Sequence, residues 1–145
     1  MSDTLFFHTD EEIAEIVRRL ESCDFGKGEF THAMHLAAAA WFLSRYSPEE
    51  ALNRMRSALI RLTEKFQVKA YHETLTSFWL RLVLSSMISS GSACSLTDSI
   101  NRLISQFGNK ETVYEYYSRA VLMCDQARQN WVEPDLKLLP CPESR

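Results

Sequence analysis

The segment from Phe30 to Leu43 constrains the fold of this chain more than any other, because almost every side chain in it is apolar. Four consecutive alanines, residues 37–40, lie within it. A helix that is apolar on all sides must be surrounded by other elements. Small alanine side chains also let neighbouring helices approach closely. The segment therefore predicts the central helix of a bundle, over about residues 30–46.

Residues that favour helix starts indicate the other helices. Thr9 to Glu12 and Ser47 to Glu50 both match the capping box, in which the hydroxyl and the glutamate each cover a free backbone N–H. Pro48 suits the first helical position, where its missing N–H would have no partner. Together with the apolar spacing, these signals predict main helices at about 10–22, 48–67 and 72–89, and shorter ones near 96–106, ended by Gly108, and near 111–117.

The ends of the chain are expected to behave differently from the bundle. Residues 1–9 are expected to be frayed. The segment from Trp131 onward holds three of the four prolines, so we expect an extended tail over 131–145, anchored by Trp131 and the leucines. Residues 89–92 resemble a linker. Within the helix over 48–67 one apolar stripe is expected to face the core, made of Leu52, Met55, Leu59, Leu62 and Phe66.

Length and composition agree with this helical interpretation. A chain of 145 residues suits one domain. Its 4 Gly and 4 Pro are too few for the many turns of a β-sandwich or barrel. We therefore predict a single all-α domain over 1–145, a bundle of about four main helices plus two short helices and an extended C-terminal tail.

Charge and cysteine usage narrow the expected partners and location. The 16 Lys and Arg are dispersed among 19 Asp and Glu, so a general nucleic-acid partner is disfavoured. The longest apolar runs fall short of the ~20 residues that cross a bilayer, and the acidic start lacks a signal-peptide pattern, so no membrane partner is expected. The four cysteines form no C-x-x-C pair, and we expect a cytoplasmic protein with free thiols. Homo-oligomerisation stays open.

Two short motifs contain three of the four histidines. His32 and His35 lie three residues apart at the start of the second predicted helix, and His72 lies at the start of the fourth. If consecutive helices run antiparallel, both starts meet at one end of the bundle. The sequence therefore predicts a shared histidine pocket. In it His32, His35 and His72 are candidate metal ligands for Zn, Fe, Mn or Ni.

The Tyr71-to-Thr76 motif supplies further candidates for the same pocket. His72 and Glu73 are candidate acid/base groups, because imidazoles and carboxylates transfer protons. Tyr71, Thr74 and Thr76 are candidate substrate-binding residues. Converging helix N-termini would also favour a small anionic ligand.

No complete catalytic signature accompanies these residues. Glu29 and His32 have the E-x-x-H spacing of a di-iron site, but a second such motif is missing. Thr76 stands where the zinc-protease pattern H-E-x-x-H needs its second histidine. Three alternatives therefore stay open: a metal site, a metal-free pocket for a small molecule that could act as an enzyme, and structural histidines in a non-catalytic binding or interaction module.

The chain resembles a family of small, mainly bacterial helical proteins without an assigned activity. The resemblance runs from Phe30 to about Pro140 and rests on F-T-H-x-x-H-L, Y-H-E-T-L-T-x-x-W and W-V-E-P-D-L. It implies that the two histidine motifs form one set and transfers no reaction. Two departures are visible: Ala33-Met34 replaces polar residues, which makes the rim of the pocket less polar, and Leu139 stands where proline is usual.

Overall fold

The computed structural model describes residues 7–68, 71–90 and 95–139, so part of the predicted linker and the last residues of the predicted tail lie outside the described residues. Within these ranges the chain is helical and contains no strand. The elements in order are α1 (Asp10–Glu21), α2 (His32–Arg45), α3 (Pro48–Lys65), α4 (Glu73–Ser90), α5 (Leu96–Phe107), a 3-10 helix (Lys110–Glu115), α6 (Arg119–Leu122) and α7 (Asp125–Gln129). The predicted all-α bundle is confirmed.

Helix α2 is the centre of the bundle, as its composition predicts. It packs against α1, α3, α4 and α5. The alanines at 37–40 are buried, together with Leu36 and Phe42. Their small side chains allow four helices to surround one, and burial of the surrounding apolar surface supplies the main stabilising term.

The predicted caps form, with one difference. Thr9 and Glu12 make the full reciprocal capping box at α1. Ser47 caps α3 through the backbone N–H of Glu50, but the Glu50 carboxylate pairs with Arg54 instead of returning to the cap. The Glu50 carboxylate can bond either to the N-cap backbone or to Arg54 one turn later, and in the structure it forms the ion pair with Arg54.

The buried face of α3 is displaced from the predicted stripe. Ala51, Met55 and Ala58 are buried, whereas Leu52, Leu59 and Leu62 are half-buried. The alanines face α2 and α4 because only small side chains fit where these helices approach. The prediction favoured the larger residues and so placed the centre of the stripe one position away.

The chain after α5 differs most from the predictions. The helix expected near 111–117 is a 3-10 helix over Lys110–Glu115, and the two short helices α6 and α7 were not predicted. Both have five residues or fewer, so neither is long enough to show an apolar period. Gly108 ends α5 as predicted. A β-carbon there would lie 2.5 Å from the Ile104 carbonyl oxygen, so only glycine permits this turn.

The expectation of frayed residues up to position 9 is wrong for the described part of that segment. Phe7 is buried, and its backbone N–H and carbonyl both bond to the side chain of Asn101. Two hydrogen bonds to α5 therefore fix the chain just before α1. A sequence gives no signal for a contact across 94 positions.

The tail lies on the bundle, and of its leucines Leu139 packs against the core as predicted, whereas two others do not. Leu136 and Leu138 are 58% and 82% exposed. Backbone bonds hold the segment instead: the Val132 carbonyl accepts from Tyr117 Oη, and the Leu136 N–H donates to the Tyr116 carbonyl. Trp131 is half-buried and stacks with Arg81, as an anchor would.

No helix in the described ranges has both the length and the apolar character that a bilayer crossing requires.

Close packing around α2 predicts that its alanines tolerate no enlargement. Ala38→Leu should lower the free energy of unfolding by roughly 1–3 kcal/mol, because the three added carbon atoms have no free volume to occupy. Ala14→Leu, at an exposed position of α1, is the matched control and should change it by less than about 0.5 kcal/mol. Urea denaturation measures both. Equal effects would contradict the central position of α2.

Candidate functional site

The starts of α2 and α4 meet at one end of the bundle and border a cavity of about 270 Å³. Helix α2 contributes His32 and His35, and α4 contributes Leu75 and Trp79. The cavity is closed by the 3-10 helix and by α6, through Lys110, Glu111, Val113, Tyr114 and Leu122. The predicted convergence of the two helix starts is therefore present in the structure.

His35 is the polar group in this cavity whose ring has no partner. The described residues offer neither of its nitrogens a hydrogen bond, although Phe30 and His32 lie beside the ring. No fully buried side-chain nitrogen or oxygen of the described residues lacks a partner, so the His35 nitrogens must be reachable by solvent. Burial of the ring lowers the pKa of His35 to about 4, and nearby His32 adds to this effect. His35 is therefore neutral at physiological pH.

His32 is held by α5. Its Nε2 lies 3.0 Å from the Phe107 carbonyl oxygen, and its ring packs edge-on against Trp79 at 4.6 Å between centroids. A carbonyl only accepts hydrogen bonds, so Nε2 carries the proton and Nδ1 is the acceptor in the neutral ring. Burial lowers the pKa of His32 in spite of the Phe107 bond, and the charge of Lys110 lowers it further.

His72 is buried, and both of its nitrogens are occupied. Its Nδ1 accepts the backbone N–H of Leu75 at 3.1 Å, which makes it a cap for the first turn of α4. Its Nε2 donates to the Leu122 carbonyl at 2.7 Å. Leu122 also lines the histidine cavity, whereas His72 is not among the lining residues. His72 therefore meets the wall of the cavity through the Leu122 backbone and does not share the cavity with His32 and His35.

The structure does not assemble the predicted metal site from His32, His35 and His72. In the described part of the chain, no three His, Cys, Asp or Glu side chains converge as metal ligands would. The physical reason is that the Leu75 amide and the Leu122 carbonyl use the two nitrogens that His72 would offer a metal. The prediction placed the helix starts correctly, but it did not include the short helix α6, whose Leu122 carbonyl bonds to His72.

Glu73 points to the other side of α4 and is paired. Its two oxygens accept from Arg56 Nε and Nη2 at 2.9 and 2.6 Å, and Oε1 also accepts from Tyr71 Oη at 2.7 Å. The Arg56 guanidinium holds the pKa of the Glu73 carboxyl below its usual value. Burial and the Glu73 bond raise the pKa of Tyr71 to about 12. A carboxylate held by three donors is a poor proton carrier, so this geometry does not favour the predicted catalytic role of Glu73.

Thr74 and Thr76 hold backbone groups. The Thr74 hydroxyl donates to the Asn130 carbonyl at 2.7 Å and accepts from the Val132 N–H at 3.1 Å. It thereby joins α4 to the tail. The Thr76 hydroxyl donates to the His72 carbonyl one turn earlier. These bonds occupy both hydroxyls, which were predicted to contact substrate.

A second, more open cavity of about 650 Å³ lies on the Glu73 side of α4. Tyr71, Glu73 and Arg56 border it, together with Arg128 and Trp131. Tyr71 is thus the predicted substrate-binding residue that borders a cavity in this structure, although this is not the cavity that holds His32 and His35.

Sequence reasoning missed Lys110, Trp79 and Leu122 as parts of the histidine cavity. Trp79 belongs to the buried core and also borders the cavity. Lys110 and Leu122 come from short elements that carry no periodic signal, and each meets α2 or α4 only through the tertiary fold. No sequence feature identifies them.

Comparison with known proteins adds no assignment. No protein-family model matches the chain, and neither a curated protein nor a solved structure shows significant similarity to it.

The two bonds of Thr74 predict a large cost for removing its hydroxyl. Thr74→Val should lower the free energy of unfolding by about 2 kcal/mol, since two backbone groups of the tail lose their partner. Hydrogen exchange at the Val132 amide should speed up in this variant. Thr76→Val removes the bond to the His72 carbonyl and leaves both tail contacts in place, so it is the matched control, with a cost below about 1 kcal/mol. An unchanged Val132 exchange rate would contradict the assigned contact.

The lowered pKa of His35 predicts that acid destabilises the fold in a defined window. The unfolded ring, with its usual pKa of about 6.5, takes up a proton before the folded ring does. Stability from this group is therefore complete above pH 6.5 and is lost as the pH falls towards about 4. The pKa values of His32 and His72 are lowered as well, so they act in the same direction.

Urea midpoints measured from pH 7 to 4 test this dependence. His35→Gln should reduce the slope of the urea midpoint against pH without abolishing it. His8→Gln, at an exposed position, is the control for loss of a histidine. A slope that His35→Gln leaves unchanged would mean that this ring titrates alike in the folded and unfolded chains.

Proposed function

We propose that this protein binds a small molecule in the cavity bordered by His32, His35, Trp79 and Lys110. The observation that carries the proposal is the unpartnered, solvent-accessible ring of His35 in a cavity whose lining is mainly apolar. A ligand that bonds to this ring would satisfy a polar group that the protein leaves open. Enclosed apolar cavities with a few polar groups are typical of ligand sites.

The chemistry available in the cavity favours binding over proton donation. A neutral imidazole offers one hydrogen-bond donor and one acceptor. With a pKa of about 4, His35 is already deprotonated near neutral pH, so it has no acidic proton to donate. The proposed function is therefore ligand binding, and any reaction at this site would use His35 as an acceptor.

A metal in the same cavity would have His32 and His35 as its protein ligands. The ring centroids lie 6.4 Å apart, and His32 already donates to Phe107. Elemental analysis of untagged protein after supplementation with Zn²⁺, Fe²⁺, Mn²⁺ or Ni²⁺ separates this version from a metal-free site. Binding of a small molecule by protein with less than about 0.1 metal equivalent supports the metal-free version.

The second candidate is a non-catalytic interaction module of the cytoplasm. The observation in its favour is that His72, Glu73, Thr74 and Thr76 all serve structural contacts. In that case every histidine would be structural as well, and the small cavity would bind nothing. Blocking the cavity would then affect no ligand.

A fragment screen with a blocked variant tests the proposal. Leu75→Trp replaces an aliphatic side chain at the wall of the histidine cavity with a bulky indole ring, and Ile60→Trp does the same at the larger cavity. Small aromatic and anionic fragments, followed by ligand-observed NMR, should bind the parent protein and Ile60→Trp but not Leu75→Trp. Circular dichroism confirms that both variants fold.

Two results would overturn the proposal. If fragments bind the Leu75→Trp variant but not the Ile60→Trp variant, the binding site is the larger cavity. If no fragment binds with a dissociation constant below about 5 mM, the interaction module is favoured. A dissociation constant of that size is weak even for molecules of about ten atoms.

A further inference from the structure

We infer that the ligand of the histidine cavity is a small, flat aromatic acid that also carries a hydroxyl or N–H donor. This inference rests on the proposed function and names the chemical class that fits the same cavity. It follows from four properties of the described residues: volume, wall chemistry, charge and unused hydrogen-bond acceptors.

The volume limits the ligand to about one ring. An apolar cavity of about 150 Å³ admits benzene. The histidine cavity measures about 270 Å³, which leaves room for two or three substituents on such a ring. This volume lies at the lower end of the range for ligand sites, ~300–1,000 Å³, and so favours a small ligand.

The walls favour a flat apolar body. Leu75, Val113 and Leu122 supply aliphatic surface, while Trp79 and Tyr114 supply rings. Aromatic pairs gain energy beyond their buried area in tilted or offset arrangements. His32 already makes such a contact with Trp79, so the cavity continues an existing cluster of rings.

The charge in the cavity favours an acid. The described residues give the Lys110 ammonium no ion pair, and its charge lowers the pKa of His32. Glu111, the carboxylate among the lining residues, lies 3.9 Å from the guanidinium of Arg119. With His32 and His35 neutral and Glu111 beside Arg119, the Lys110 ammonium is the charged lining group left without an ion-pair partner among the described residues. A carboxylate at Lys110 would neutralise it.

The imidazoles favour a donor on the ligand. His32 uses its N–H on Phe107 and keeps Nδ1 as an acceptor, and His35 keeps one acceptor nitrogen in either tautomer. Two imidazole acceptors therefore line the cavity, and its unpaired charged group, the Lys110 ammonium, is a donor. A ligand with a carboxylate for Lys110 and a hydroxyl or N–H for an imidazole would match both kinds of group.

A pair of isosteric probes tests the charge requirement. 4-Hydroxybenzoate and neutral 4-hydroxybenzamide have the same shape and differ by one charge. Each is titrated into the full chain at low salt, and the indole N–H resonance of Trp79 reports binding. We expect the acid to bind about fivefold more tightly than the amide, the order of effect of a partly exposed ion pair.

Lysine variants assign that difference to a residue. Lys110→Met should make the two affinities equal. Lys27→Met removes an exposed lysine from the loop between α1 and α2, outside the cavity lining, and should preserve the fivefold difference. Trans-4-hydroxycyclohexanecarboxylate, which is not flat, should bind more weakly than 4-hydroxybenzoate.

The outcomes separate this inference from the proposed function. If acid and amide bind equally and Leu75→Trp blocks both, the aromatic-acid inference is wrong and the cavity remains a binding site. If the parent protein binds the acid more tightly than the amide and Lys110→Met does not change this difference, the assigned cation is wrong and the inference fails. If no fragment of any class binds at the cavity, the proposed function fails as well.

Discussion

The hydrogen bond from His72 to the Leu122 carbonyl decides which histidines remain available for a ligand. It fixes the first turn of α4 to α6, and the Leu75 amide uses the other nitrogen of the same ring. Protonating His72 would break the bond to Leu75, so the buried ring is stable only in its neutral form, and burial lowers its pKa. With His72 used as a structural bridge, His35 is left as the open group of the cavity.

The other residues of the Tyr71-to-Thr76 motif extend this bridge along one side of the bundle. Thr74 holds the backbone at Asn130 and Val132, and Glu73 joins α4 to Arg56 of α3. Segments that have little apolar surface of their own are thus attached by polar bonds. The bond from His72 holds Leu122 in the same way, and Leu122 is one of the residues that border the histidine cavity.

Elements with a repeating chemical pattern could be predicted from the sequence, and contacts set by the tertiary fold could not. The apolar run of α2, the capping box at Thr9 and the stop at Gly108 each have a local cause, so the main helices were predicted to within about two residues. The shared end of α2 and α4 followed from short connections. Helix α6 has four residues and no period, so the bond of His72 to the Leu122 carbonyl could not be foreseen. The same limit applies to Lys110 and to the partner of Glu73.

Nitrogen-resolved NMR of the imidazole rings at pH 7, without added ligand, tests the division of the histidines most directly. The account predicts that His72 and His32 each show a fixed Nε2–H tautomer, with ring protons that exchange slowly because a carbonyl holds them. His35 should be neutral, with ring protons that exchange rapidly with water. A His72 ring that exchanges rapidly, or a His35 ring that shows a slowly exchanging N–H, would contradict it.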